Sequence, residues 1–155
     1  MKLRIKDVLD KCNWAAIPTD LFIEIQKAKL VGQEVIEISD SVLLSICKKS
    51  ILIERKNEAM RKCVELNNYG IEQERNGDIC AAIKAYEENT DSSYIICVPF
   101  DRLMVLYRKL KDYDNEIRII NKAIDILCTK YPNLKDKYIQ RLEKAQKLKS
   151  KIKSL

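Results

Sequence analysis

A hydrophobic pattern that recurs after 34 residues leaves this chain few folds to choose from. Laid side by side, the segments starting at Cys63 and Cys97 bring Leu66 onto Phe100, Tyr69 onto Leu103, Ile79 onto Tyr113, Ile83 onto Ile117 and Tyr86 onto Ile120. Within each segment the apolar residues fall three or four positions apart, which places them on one face of an α-helix. The interruptions coincide as well. Asn76-Gly77-Asp78 lies over Leu110-Lys111-Asp112, and an aspartate at that offset caps the next helix by accepting its first free N–H groups. The two segments, about 63–96 and 97–130, read as helical hairpins built on one plan.

The first segment runs Leu66-x-x-Tyr69-Gly70-x-x-Gln73, then Gly77-Asp78-Ile79-x-x-Ala82-Ile83-x-x-Tyr86. In these residues it resembles the tetratricopeptide repeat family, whose unit is also 34 residues. The resemblance implies that Gly70 and Ala82 lack bulk where antiparallel helices approach most closely, while Leu66, Tyr69, Ile83 and Tyr86 fill the space beside them. Gln73 and Asn89 stand where the family has an aromatic residue and alanine. The second segment keeps Phe100, Leu103, Tyr107, Tyr113, Ile117, Ile120 and Ala123 but carries Met104 and Glu116 at the two tight positions, so a spread or rotated helix pair is expected there. Pro99 fits the register, because a first helical turn does not need its N–H.

The expected architecture is an all-α solenoid in one domain: N-terminal helices over 1–62, two hairpins over 63–130 and a basic capping helix over 131–155. Pro132 ends the second hairpin, and Leu134, Tyr138, Leu142, Ala145, Leu148 and Ile152 then form a narrow apolar stripe suited to closing the end of a stack. Toward the N-terminus, helices are expected at about 4–12, 19–31 and from 40 onward, with Thr19-Asp20 and Ser39-Asp40 as starts. Val35-Ile36-Glu37-Ile38 reads as a short extended link with no evident partner strand. The helix from 40 either continues into the first hairpin or, as favoured here, breaks near Lys56-Asn57, where the apolar stripe lapses. Trp14, ahead of Ile17-Pro18, reads as a packing anchor, with an exposed partner contact as the alternative.

Composition closes off most chemistry. The chain has no histidine, which removes Ser-His and Cys-His nucleophile pairs, His-ligated metals and the usual base near neutral pH. Cys-x-x-Cys and Gly-x-x-x-x-Gly-Lys spacings are missing, and three glycines cannot build a dinucleotide fingerprint. Carboxylates one or two positions apart, such as Glu87 with Glu88 or Glu72 with Glu74, do not face one another on a helix. No catalytic residue, metal or cofactor is expected. The N-terminal ten residues hold neither a secretory signal nor a membrane span. The six cysteines, never closer than sixteen residues, read as reduced, buried thiols of a cytoplasmic protein, with a disulfide framework as the competing reading.

Two surfaces remain as candidates. In the tetratricopeptide family the leading helix of each repeat lines the concave face, and the resemblance places Asn67, Asn68, Ile71, Arg75, Arg102, Val105, Arg108 and Lys109 there. Their amide and cationic donors suit the carbonyls or acidic side chains of an extended peptide, and the implied function is a non-catalytic adaptor or inhibitor. The family's carboxylate clamp is not reproduced, since Asn67 replaces its lysine and Ile71 its asparagine. The alternative surface is the terminal helix. Residues 130–155 hold nine Lys and Arg against two acids, whereas residues 1–129 hold 20 against 21. Lys144, Lys147, Lys149, Lys151 and Lys153 would contact phosphates weakly and without sequence preference, because base-stacking aromatics are not interleaved with them. Two repeats are fewer than a stable stack usually needs, so self-association is a further expectation.

Overall fold

The computed structural model describes residues 1–153, with side chains described to residue 152. Among these residues seven α-helices carry an all-α fold to which one two-stranded ribbon is added. The chain gathers into two compact units, Met1–Glu58 and Ala59–Leu155.

In the first unit, β1 (Lys2–Arg4) leads directly into α1 (Ile5–Lys11), followed by a 3-10 turn (Trp14–Ala16), α2 (Thr19–Leu30) and β2 (Val35–Glu37). The extended link at 35–38 does have a partner: β2 pairs antiparallel with β1, Leu3 opposite Ile36. The N-terminal amine, donating to the Ile38 carbonyl at 2.8 Å, and the Ile38 N–H, donating to the Met1 carbonyl, extend this pairing. Ile5, Val8, Ile17, Leu21, Ile25, Ile36, Ile38 and Ile46 form the core. Trp14 is not an anchor in it. Its side chain is 74% exposed, because the 3-10 turn directs Ala16 and Ile17 inward instead. Thr19 is the first residue of α2 and not its cap, whereas Ser39 Oγ does accept from the Val42 N–H at the start of the next helix.

That helix, α3 (Asp40–Asn76), does not break at Lys56-Asn57. Lys, Asn, Glu, Ala, Met and Arg around that point all tolerate helical backbone, and neither Gly nor Pro intervenes. The lapse in the apolar stripe marks loss of packing instead: residues 54–58 are exposed, and the boundary between the compact units lies there.

The second unit continues with α4 (Ile79–Thr90), α5 (Val98–Lys109), α6 (Tyr113–Lys130), a 3-10 turn (Pro132–Leu134) and α7 (Lys135–Lys153). Its core comprises Ala82, Tyr86, Phe100, Leu103, Met104, Leu106, Ile119, Ile120, Ala123, Leu127, Tyr138 and Ala145, which joins α4, α5, α6 and α7. α7 lies along α6, with Tyr138 and Ala145 fully buried and Leu134 and Leu142 packed against the core.

Both hairpin turns are the same turn. The Gly77 N–H donates to the Glu74 carbonyl and the Asp78 N–H to that of Gln73; 34 residues on, Lys111 donates to Arg108 and Asp112 to Tyr107. This is the Schellman closure of a helix, whose pivotal residue adopts left-handed backbone. Gly77 has φ +81° and Lys111 φ +58°. Each turn then hands on to its capping aspartate: Asp78 accepts from the Ala81 N–H at 2.9 Å and Asp112 from the Asn115 N–H at 3.1 Å.

Candidate functional site

The two hairpins are closed by different chemistry. In the first, Gly70 lies directly beneath the Tyr86 ring, so that a Cβ at position 70 would come within 2.6 Å of two ring atoms. Tyr86 is fully buried, and its hydroxyl donates to Glu74 Oε1 at 2.8 Å. Tyr69, expected to fill space beside Gly70, is half exposed instead. Asn89, standing where alanine was expected, is buried and donates to the Cys63 carbonyl at 2.9 Å and to Asn67 Oδ1 at 3.0 Å. A buried amide thus joins α3 to α4.

The second hairpin has Met104 and Glu116 fully buried at the positions equivalent to Gly70 and Ala82. Arg108 binds the Glu116 carboxylate through Nη2 at 2.7 Å and Nε at 3.1 Å, and Arg141 of α7 approaches it at 3.5 Å. A carboxylate at a tight position is therefore matched by two guanidinium groups from neighbouring helices.

The residues expected on the leading helices divide into four groups. Asn67 is buried and held by Asn89. Arg102 and Arg108 are half-buried and ion-paired, Arg102 with Glu74 and Arg108 with Glu116. Asn68, Arg75 and Lys109 are exposed, while Ile71 and Val105 are half-buried. Ile71, Arg75 and Arg102 meet around a hollow of about 440 Å³, with Glu74 as the fourth lining residue. Glu74 is the member that sequence reasoning missed. Its partners come from helices well separated in the chain, and no local pattern marks it.

Electrostatics organises this hollow. Arg102 Nε donates to Glu74 Oε1 at 2.8 Å, and Arg102 Nη2 contacts the other oxygen. Burial alone pushes the Glu74 carboxyl up, but the hydrogen bonds from Arg102 and Tyr86 and the charges of Arg102 and Lys109 outweigh it and hold it below the usual carboxylate range. Tyr86 moves the other way, pushed up to about 12 by burial and by the adjacent carboxylate. The hydrogen bond to Glu74 raises Arg102 despite its own burial. A similar node sits at Glu87, which accepts from Tyr107 Oη at 2.6 Å and pairs with Arg118.

On α7 the nominated lysines do not form one unpaired row. Lys144 and Lys147 are exposed, Lys149 pairs with Asp114 of α6, and Lys151 is exposed with an electrostatic or hydrogen-bonding partner of its own. The side chain of Lys153 lies outside the described residues. Lys137, on the same helix, pairs with Asp101 of α5 at 2.9 Å.

The cysteines also differ from expectation. Cys63 is buried and Cys12, Cys97 and Cys128 half-buried, but Cys47 and Cys80 are exposed, and all six are free thiols. Cys47 lies beside the inward stripe of α3 formed by Leu43, Ile46, Ser50 and Ile53, not within it. Among the described residues no three His, Cys, Asp or Glu side chains converge on a metal-sized site, and no helix is long and apolar enough to cross a membrane. No protein-family model, no curated protein and no solved structure matches this chain.

Proposed function

We propose that α3 to α6 form two tetratricopeptide-like hairpins closed by α7, and that the chain acts as a non-catalytic adaptor or inhibitor that takes an acidic, extended peptide on the face carrying Ile71, Arg75, Arg102 and Lys109. The hollow lined by Ile71, Glu74, Arg75 and Arg102 carries this reading. Arg75 and Arg102 line this hollow with Glu74, and the charge of Lys109 reaches the same carboxylate, so cations outnumber the one lining acid beside Ile71. Such a field draws acidic partners and fixes their register more than it sets raw affinity. The 34-residue identity of the two Schellman turns supports the hairpin assignment.

The test compares residues that are exposed with residues that hold the fold. A displayed library of random peptides is panned against the full chain and against the double variant Arg75→Glu, Lys109→Glu, with thermal melting run on both. Enrichment of Asp- and Glu-rich clones on the wild type, and its loss in the variant at unchanged melting temperature, is the expected outcome. Equal recovery from both proteins, or none from either, would remove the hollow as the binding face. Arg102 and Arg108 are poor choices here, because reversing either charge sets it against a carboxylate inside the fold.

A further inference from the structure

The first unit places two cysteines together that lie 35 positions apart in sequence. Cys12 follows the end of α1, and its neighbour Asn13 donates its backbone N–H to Ser50 Oγ on α3 at 3.0 Å. Cys47 is one helical turn before Ser50, so the Asn13–Ser50 bond sets the Cys47 thiol beside Cys12, near enough to act on its charge. The Asn13–Ser50 bond fixes this approach from the backbone side, and Cys12 is held against the core formed by Ile5, Val8 and Ile46. Access differs between the two partners: Cys47 is exposed and Cys12 half-buried.

We infer that Cys12 and Cys47 form an oxidisable dithiol, a site of reversible disulfide formation whose co-substrate is a small disulfide of the glutathione type. The order of events follows from exposure. Cys47, as thiolate after losing its proton to water, attacks one sulfur of the small disulfide, and the S–S bond breaks to release one small thiolate, which takes up a proton. The mixed disulfide on Cys47 then faces Cys12, which loses its proton and attacks Cys47 Sγ, expelling the second small thiol. Two protein thiols are oxidised to one protein disulfide, and one small disulfide is reduced to two thiols. Burial, reinforced by the nearby Cys47, raises Cys12 above an ordinary thiol. The product ties the segment after α1 to α3 and leaves the other four cysteines untouched.

The experiment incubates the full chain with oxidised glutathione, quenches with an alkylating agent and maps tryptic peptides by mass spectrometry. Cleavage after Lys11, Lys27, Lys29 and Lys48 puts the two thiols on separate peptides, 12–27 and 30–48. A cross-linked pair of these peptides, reversed by reduced dithiothreitol, is expected. Cys12→Ser should convert the link into a lasting glutathione adduct on Cys47, and Cys80→Ser, which removes the other exposed thiol, should leave the link unchanged. Glutathione persisting on Cys47 in the wild type, or a link from Cys47 to Cys80 in place of Cys12, would overturn the inference. A melting curve on each variant confirms that the fold is retained.

Discussion

The first hairpin closes over an absence of atoms and the second over a charge. At Gly70 the missing side chain lets an aromatic ring lie on the α3 backbone. At the matching place in the second hairpin Met104 takes up that room, and Glu116, where the first hairpin has Ala82, is buried between Arg108 and Arg141. The turns remain superposable in hydrogen bonding all the same. Equivalent backbone geometry can therefore be held by shape in one copy and by charge in the other, and the two should fail in different ways.

The largest expected effect comes from the charged closure. Glu116→Ala makes the second hairpin resemble the first in sequence, yet it strips two guanidinium groups of their counter-charge and should cost about 3 kcal/mol, read as a lower urea midpoint. Replacing Arg108 and Arg141 by Met in the same background should recover much of that loss. A neutral single variant would mean that the ion cluster does not hold the hairpin. Next comes the closure by shape. Gly70→Ala should destabilise by ~1–2 kcal/mol through overpacking against Tyr86, although alanine is the better helix former. In a Tyr86→Leu background the same change should become neutral or stabilising, and a double-mutant cycle measures the coupling. The smallest effect concerns the turns. Lys111 holds left-handed backbone with a side chain present, so Lys111→Gly should raise stability by about 0.5 kcal/mol in a thermal melt. No gain would indicate that the lysine side chain contributes a compensating contact.

What the sequence disclosed was local. The caps at Asp78 and Asp112, Pro99 in a first turn and the inward side of the last helix at Tyr138, Leu142 and Ala145 each depend on residues within a few positions of each other, and these are present in the structure, whereas Ile152, expected on the same stripe, is exposed. Depths and partners were not disclosed. Glu116 looked like a misfit because one of its cations, Arg141, lies on a helix 25 positions further along. β2 lacked a visible partner because β1 is three residues long and merges with α1. The lapse near Lys56-Asn57 was read as an end of helix when it is an end of packing, since an exposed polar stretch can stay helical between anchored parts of one α-helix. For the site, Ile71, Arg75 and Arg102 followed from the repeat register, whereas Glu74 and the ion pairing of Arg102 and Arg108 arise from tertiary contacts.

The carboxylate grip on Arg102 also bears on how tightly the proposed face would hold a ligand. A free arginine side chain samples many rotamers, and freezing one opposes association by about 1.5–2 kcal/mol. Here Glu74 has imposed that order on Arg102 during folding, so on the proposed face a ligand would meet that guanidinium already fixed, whereas Arg108 is turned onto the buried Glu116. Rigid donors of this kind favour selectivity for ligand shape over adaptability.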